Sequence, residues 1–211
     1  LVFSDFLKYG VEPIGNILRD VFKYECVSEN TTEDQLKKEA NRYTIWSGQI
    51  RPKKKEQYAN IIKYVFGSKE NIEGKKLKVV LGTRAIAEGV SFRNVRQVHI
   101  LNPWWNESRI RQIAARAIRY GSHKDLPENE RKVKVYQHYM KFEGDRVKEI
   151  NAKQLIDGHI TVDEYISNLA KTKRVNSLEY EKILKRSAVD CKMNKSANKV
   201  RIEKTTVYIN N

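Results

Sequence analysis

Residues 102–123 hold a group of arginines with the residue types and spacing for phosphate chemistry. Four polar residues fall at spacings of three and four, which places them on one stripe of a predicted helix: Arg109, Gln112, Arg116 and Arg119. Guanidinium groups on one stripe of a half-buried helix repel one another unless an anion lies opposite them. The planar donor fork of arginine suits a phosphate, but an ordinary solvated basic face has the same pattern.

The helix that carries this stripe has recognisable start and stop signals. Asn106 is a good N-cap residue, and Gly121 is the residue type that commonly follows a helix end. A second stripe is apolar and is expected to be buried: Ile110, Ile113, Ala114, Ala117 and Ile118. Trp104 and Trp105 precede the helix; they could stack on bases, but packing beside the helix is favoured.

The composition favours a polyanionic partner. The 211 residues carry a formal net charge of +15, a balance found in nucleic-acid-binding proteins and also in ribosome-like and membrane-surface proteins. Cys26 and Cys191 are far apart and form no CxxC pair, so a reducing, intracellular compartment is expected, without disulfides or a zinc site. The histidines lack metal-ligand spacing, and no metal site is predicted. No apolar run approaches the ~20 residues that span a bilayer, so no membrane partner is predicted.

Strands and helices are predicted to alternate through residues 1–144. Apolar runs predict strands at residues 1–5, 24–27, 43–48, 75–82, 95–101 and 132–140. Helices are predicted at residues 15–22, 28–42 and 52–66, besides the arginine helix. The first should bury Ile14, Ile17, Leu18 and Val21, and the second should begin with a capping box of Thr32 and Gln35. This alternation predicts an α/β fold with a parallel sheet covered by helices on both faces.

The pattern changes after residue 144. Helical patterns recur at residues 150–156, 162–169 and 178–184 without strands between them, and residues 205–209 are either one added strand or a frayed end. We therefore predict two domains, an α/β domain over residues 1–144 and a helical C-terminal extension over residues 145–211. Because Leu1 lies inside an apolar run, we also expect the chain to be a piece of a longer protein.

Polar residues and glycines gather where the predicted strands end. Ser4 follows the first strand, Gly48 the third, and Thr83 and Arg84 the fourth. Ligands of open α/β sheets bind at the carboxyl ends of the strands, and a glycine lets a backbone N–H approach an anion closely. Each residue alone has an ordinary explanation as a turn or cap residue. Their joint position predicts an anion-binding edge of the sheet.

Four segments occur in the order of helicase motifs IV, IVa, V and VI. They are residues 2–4 with the helix after them, then 46–48, 82–92 and 112–119. Over residues 1–140 the chain therefore resembles the second RecA-like domain of superfamily 2 helicases and translocases. Residues 102–109 are further similar to the helicase-like ATPases of nucleocytoplasmic large DNA viruses, of the type of the poxvirus early transcription factor small subunit and nucleoside triphosphate phosphohydrolase I.

This resemblance implies roles for particular residues. Arg119 matches the arginine finger on the γ-phosphate, and Arg116 matches the second arginine of motif VI. Three residues match positions that bind ATP: Gln112, Glu88 and Gly89. Four match positions at the nucleic-acid backbone: Ser4, Gly48, Thr83 and Arg84. One position departs from the family, because Ala115 stands where motif VI usually has glycine.

The sequence lacks two parts of an ATPase site. It has no glycine-rich segment followed by Lys-Ser or Lys-Thr, hence no P-loop, and no Asp-Glu pair placed after a strand to hold Mg²⁺. In the resembled family, the N-terminal RecA-like domain of the same protein binds most of the ATP and Mg²⁺. We therefore expect the isolated chain to hydrolyse no ATP, since it would be half of the site.

Two functional interpretations stay open. In the first, the chain is the C-terminal half of a nucleic-acid-dependent ATPase, expected to act on DNA in viral transcription beside the viral RNA polymerase. Its location would be the host cytoplasm, in viral factories, or the virion. In the second, it is a nucleic-acid-binding scaffold of a transcription factor without ATPase activity. The presence of Gln112, Arg116 and Arg119 favours the first interpretation.

Overall fold

A computed structural model of the chain describes residues 1–28, 30–48, 68–87, 92–142 and 161–189. Its six strands are β1 (Val2–Phe3), β2 (Glu25–Val27), β3 (Arg42–Trp46), β4 (Val79–Gly82), β5 (Gln97–Ile100) and β6 (Lys134–Gln137). They form one sheet in the order β2-β3-β4-β1-β5-β6, and every pair is parallel. The alternation of strands and helices predicts this parallel α/β sheet, and the resemblance to RecA-like domains implies it as well.

The described α-helices are α1 (Glu12–Asp20), α2 (Glu33–Lys37), α3 (Glu107–Ala117) and α4 (Val162–Ser187). A π-helical segment, Leu7–Val11, leads into α1. The predicted capping box of α2 is confirmed, with Thr32 and Gln35 each accepting a hydrogen bond from the other's backbone N–H. The two helical patterns after residue 161 form one continuous helix. The predicted elements at residues 52–66, 150–156 and 205–209 lie outside the described residues.

The sheet is buried on both faces, as a parallel sheet requires. β1 lies at its centre, between β4 and β5. Val11, Tyr43 and Leu81 form a buried cluster on one face. Alternation along the strands puts Phe3 and Ile100 on the opposite face, where both are at most 2% exposed.

α1 differs from its prediction in its bounds and in the residues that it buries. It starts at Glu12, and Ile14 and Leu18 pack against the buried cluster as predicted. Ile17, however, is 50% exposed, and Val21 is 65% exposed. The preceding π-helical turn already places Val11 in the core, so the helix turns the Ile14–Leu18 stripe toward the sheet and leaves the next stripe in solvent.

The chain divides into two compact units. The first comprises Leu1–Asn102 and Arg111–His138, and the second comprises Pro103–Ile110 and Tyr139–Asn211. In the second unit the Thr161 hydroxyl caps α4, accepting from the backbone N–H of Glu164 at 3.1 Å. The domain boundary at residues 144/145 stays a prediction. No helix in the described ranges is long and apolar enough to cross a membrane.

Gly82 ends β4 at a point with no room for a side chain. A Cβ there would overlap Cδ1 of Ile86, which is fully buried. We expect Gly82→Ala to lower the free energy of unfolding by about 1–3 kcal/mol, the usual cost of overpacking a core, as measured by urea denaturation. Gly48→Ala is the matched control, because a Cβ there meets nothing within 4 Å. Equal stability of the two variants would contradict this explanation.

Candidate functional site

The carboxyl ends of β1, β3 and β4 border an open cleft of about 390 Å³. It is lined by residues 5–9 after β1, by Ser47 and Gly48 after β3, and by Thr83 and Arg84 after β4. The parallel sheet thus brings together three of the four residues predicted at the nucleic-acid backbone. Residues 6–9 carry no sequence signal for this position, because a single π-helical turn has no periodic pattern of its own.

Backbone hydrogen bonds align the strand ends that border this cleft. The N–H of Ser4 donates to the carbonyl of Gly82, and the N–H of Thr83 donates to the carbonyl of Trp46, each at 3.0 Å. The Thr83 side chain is 7% exposed, and its hydroxyl donates to the same Trp46 carbonyl at 3.4 Å. Thr83 is therefore held in a fixed position at the end of β4.

Ser4 does not line the cleft. Its side chain has no exposed area, and its hydroxyl donates to Oδ1 of Asn102 at 2.5 Å and accepts from the N–H of Phe6 at 3.1 Å. Gly10 packs so closely that a Cβ on it would overlap the Ser4 hydroxyl. Ser4 is buried and holds the segment that lines the cleft. Its predicted contact with a nucleic acid stays a prediction, and its burial does not support that contact.

Arg84 is oriented at the cleft by an ion pair. Its Nε donates to Oδ1 of Asp5 at 3.1 Å, and the Asp5 side chain is 3% exposed while that of Arg84 is 66% exposed. Residues Arg84–Ala87 form a 3₁₀ turn directly after Thr83. Glu88 and Gly89, predicted to bind ATP, lie outside the described residues.

α3 carries the residues predicted to face the nucleotide. Gln112 is exposed and Arg116 is half-buried. The predicted apolar face is buried at Ile110, Ile113 and Ala117. Ile118 is instead 54% exposed, because α3 ends at Ala117 and not at Tyr120 as predicted.

Arg119 therefore lies in a turn beyond the helix. Gly121, predicted to follow the helix end directly, lies instead in this turn, where it has a left-handed φ of +71°. The N–H of Ser122 donates to the Arg119 carbonyl at 3.0 Å, and the N–H of Asn94 donates to the Ser122 carbonyl at 3.0 Å. The exposed Arg119 is thus positioned by this turn and not by helical spacing from Arg116.

Ser122 and His123 connect this turn to the loop before β5. Nε2 of His123 lies 2.8 Å from the carbonyl oxygen of Val95, and Nδ1 lies 2.8 Å from the Ser122 hydroxyl. A carbonyl can only accept, so Nε2 carries a hydrogen and donates it to Val95. The same hydroxyl lies 3.2 Å from the carbonyl of Ala117, the last residue of α3.

Arg109 does not extend the stripe of Gln112 and Arg116 toward a phosphate. Within the second unit its guanidinium lies over the ring of Trp104, 4.1 Å from the centroid, in a cation–π contact. Trp105 meets Tyr165 of α4 edge-on at 6.4 Å. These contacts favour the interpretation of both tryptophans as packing residues.

His99 and His138 form a second histidine contact, on β5 and just after β6. Nδ1 of His99 and Nε2 of His138 are 3.1 Å apart, and both the His138 and Tyr136 rings stack on His99. Burial, and next the charge of His138, lower the pKa of His99. Within the described residues no group of three His, Cys, Asp or Glu side chains could hold a metal ion.

Residues 21–121 match the family described as the helicase conserved C-terminal domain. The matched range contains four strands of the sheet, the helix α3 and the turn that holds Arg119. A solved structure, the C-terminal part of the Fun30 ATPase domain, is similar with a TM-score of 0.46 and 19% identity over 80% of this chain and 38% of that chain. That similarity is too low to define a fold by itself.

Viral proteins are similar to the chain over most of its length. A protein of Acanthamoeba polyphaga mimivirus, provisionally named an ATP-dependent RNA helicase, is 36% identical over 93% of this chain and 30% of its own length. A protein of Invertebrate iridescent virus 3, provisionally named a helicase, is 32% identical over 94% of this chain and 19% of its own length. A protein of African swine fever virus, named a termination factor NPH-I homolog, is 26% identical over 92% of this chain and 31% of its own length. The chain thus spans less than a third of each of these relatives.

The hydroxyl of Ser122 should stabilise the turn that holds Arg119. We expect Ser122→Ala to lower the free energy of unfolding by about 1–3 kcal/mol, because the buried partners of the hydroxyl lose a hydrogen bond. Hydrogen–deuterium exchange should become faster at the amides of residue 122 and Asn94. Ser177→Ala is the control, because this exposed α4 serine bonds only within its own helix. Unchanged exchange in Ser122→Ala would show that the hydroxyl does not hold the turn.

Proposed function

Residues 21–121 belong to the helicase conserved C-terminal domain family, and from that premise we propose that the chain is the second RecA-like half of a nucleic-acid-dependent ATPase. The N-terminal RecA-like domain of the whole protein would supply the P-loop and bind most of the ATP and Mg²⁺. One observation carries the proposal: Gly48, Thr83 and Arg84, which are distant in sequence, line one cleft where their strands end.

The arginines on and after α3 suit the nucleotide half of this function. Arg119 is exposed in a turn that Ser122 and His123 hold, so its guanidinium can reach a phosphate from a backbone of fixed position. We propose that Arg119 is the arginine finger, which stabilises the negative charge that develops as the γ-phosphoryl group is transferred. Arg116 would support the phosphates from the last turn of α3.

The remaining nucleotide contacts are proposed on the family pattern. Gln112, Glu88 and Gly89 would bind ATP, and the ligands of Mg²⁺ would come from the N-terminal domain. Gln112 is exposed on α3, four residues before Arg116 and hence on the same stripe. This position supports its assignment beside the phosphates.

The cleft suits the nucleic-acid half of the function. Gly48 is exposed with open space around its Cα, and Arg84 is a cation at the same cleft. Backbone N–H groups and cations contact phosphates and carry no sequence information. We propose that they bind the nucleic-acid backbone, while the buried Ser4 acts by holding residues 5–9 in place.

We further propose that the substrate of the whole protein is DNA. The protein would act in viral transcription together with the viral RNA polymerase, in the host cytoplasm or the virion. The name of the African swine fever virus relative, a termination factor, supports the transcription role. The name of the mimivirus relative points to RNA. Binding and ATPase assays therefore need matched DNA and RNA strands.

The arginine-finger assignment predicts a specific kinetic effect in the whole protein. Arg119→Ala should leave ATP binding nearly intact and lower kcat by about 10³-fold or more, since the lost interaction is made mainly in the transition state. Arg111→Ala is the matched control, because Arg111 is an exposed arginine of α3 that lies off the stripe of Gln112 and Arg116. Near-normal turnover by Arg119→Ala would show that the assignment is wrong. A wild-type protein without any turnover would favour the scaffold interpretation.

The cleft also predicts weak, strongly salt-dependent binding by the chain alone. Half of a cleft makes few phosphate contacts, so a Kd of about 10⁻⁴ to 10⁻⁶ M, the range of non-specific binding, is expected. Gly48→Asp combined with Thr83→Ala should weaken binding and reduce its salt dependence, as measured by titrating a single-stranded oligonucleotide at several salt concentrations.

The basic residues 182–204 are the rival source of this affinity. A chain truncated after Leu178 lacks these residues, and we expect it to retain most of the binding. If this shortened chain loses binding while the double substitution has no effect, the cleft is not the nucleic-acid site.

A further inference from the structure

Two exposed aromatic side chains lie at the cleft without an assigned role. Phe6 is 53% exposed and Tyr9 is 90% exposed, and both line the cleft with Gly48 and Arg84. We propose that Phe6 and Tyr9 form a stacking platform for the bases of a single-stranded nucleic acid. This inference rests on the proposed function, because it requires that the nucleic-acid backbone lies in the same cleft.

The backbone that carries the stacking platform is held by hydrogen bonds on both sides. The N–H of Phe6 donates to the Ser4 hydroxyl at 3.1 Å, and the Phe6 carbonyl accepts from the N–H of Val11 at 3.2 Å. The carbonyl of Leu7 accepts from the N–H of Glu12, which closes the π-helical turn. The rings are therefore presented from an ordered segment, so binding has little backbone freedom left to remove.

The chemistry around the platform matches a nucleic-acid strand better than an apolar partner. Lys8 lies between the two aromatic residues in sequence and lines the same cleft, and Arg84 lies there with it. Cations bind phosphates, whereas exposed rings stack on bases of any sequence, at about 1–3 kcal/mol for each base. An apolar protein surface would have to bury both cations.

The platform also selects the form of the nucleic acid. In a duplex each base is already stacked and paired, so its face is not available to a side chain. An unpaired strand exposes its bases while its phosphates contact the cleft. We therefore infer that the site binds single strands, or an unpaired end, more tightly than the corresponding duplex.

The test separates the contribution of base stacking from the contribution of charge to the affinity of the 211-residue chain for a single strand. Binding of a short oligothymidine, and of a strand of equal length with abasic sites, is measured by fluorescence anisotropy at several salt concentrations. Tyr9→Ala should weaken binding of oligothymidine by about 5-fold to 100-fold. The slope of the logarithm of the binding constant against the logarithm of the salt concentration should stay unchanged, because a tyrosine neutralises no phosphate. The abasic strand and a duplex should bind Tyr9→Ala and the wild type equally.

Two further variants make the test specific. Tyr9→Phe should retain the affinity, because the ring and not the hydroxyl stacks on a base. Phe22→Ala removes an aromatic side chain that is 62% exposed just after α1 and does not line the cleft, and it should not change binding. Phe6→Ala should weaken binding of oligothymidine in the same way as Tyr9→Ala.

The outcomes separate the stacking platform from the proposed function. If the wild type binds oligothymidine and the abasic strand equally, and Tyr9→Ala and Phe6→Ala match it at every salt concentration, the platform is refuted while phosphate binding in the cleft stands. If the wild type binds no strand, the nucleic-acid half of the proposed function fails and the platform fails with it. If Phe22→Ala weakens binding as much as Tyr9→Ala, the effect is not specific to the cleft and the platform is also refuted.

Discussion

The hydroxyl of Ser4, which has no exposed area, connects the central strand of the sheet to the segment that lines the cleft. It donates to Asn102, which follows β5, and it accepts from the N–H of Phe6. A buried hydroxyl is costly unless it is hydrogen-bonded, and a Cβ on Gly10 would overlap the Ser4 hydroxyl. The end of β1, the end of β5 and the start of the π-helical segment are therefore held together, and the position of residues 5–9 depends on this contact.

The two halves of the proposed site are supported by different kinds of structure. The cleft depends on the ends of parallel strands, which backbone hydrogen bonds such as that from Thr83 to Trp46 keep aligned. The arginine proposed to reach the γ-phosphate depends on a turn closed by Gly121, Ser122 and His123. Both supports are short hydrogen-bonded connections, the first at the carboxyl ends of β1, β3 and β4 and the second beside the loop that precedes β5. Neither proposed set of contacts therefore relies on long flexible side chains alone.

The positive charge of the chain has structural uses besides binding. Arg42 is 5% exposed, donating to Glu25 and to the carbonyl of Lys38. Arg109 lies over Trp104. Guanidinium groups with such contacts cannot be counted as equivalent phosphate ligands. The net charge of +15 therefore overstates the number of cations that are available to bind a polyanion. The proposed nucleic-acid binding accordingly depends on the cleft and not on the net charge.

The amino-acid sequence by itself determined the parallel α/β sheet and the capping box of Thr32 and Gln35, because each follows from a local pattern of burial or backbone geometry. It also determined that Gly48, Thr83 and Arg84 follow strands, and hence that they share one edge of the sheet. Only the tertiary structure decided the burial of Ser4, the contact of Arg109 with Trp104, and the exposure of Ile17 and Ile118. Each of these depends on where a helix begins or ends, or on a neighbour that local periodicity does not specify. The exposed Phe6 and Tyr9 belong to the same class, since a π-helical turn anchored by a distant Asn102 leaves no periodic signal in the sequence.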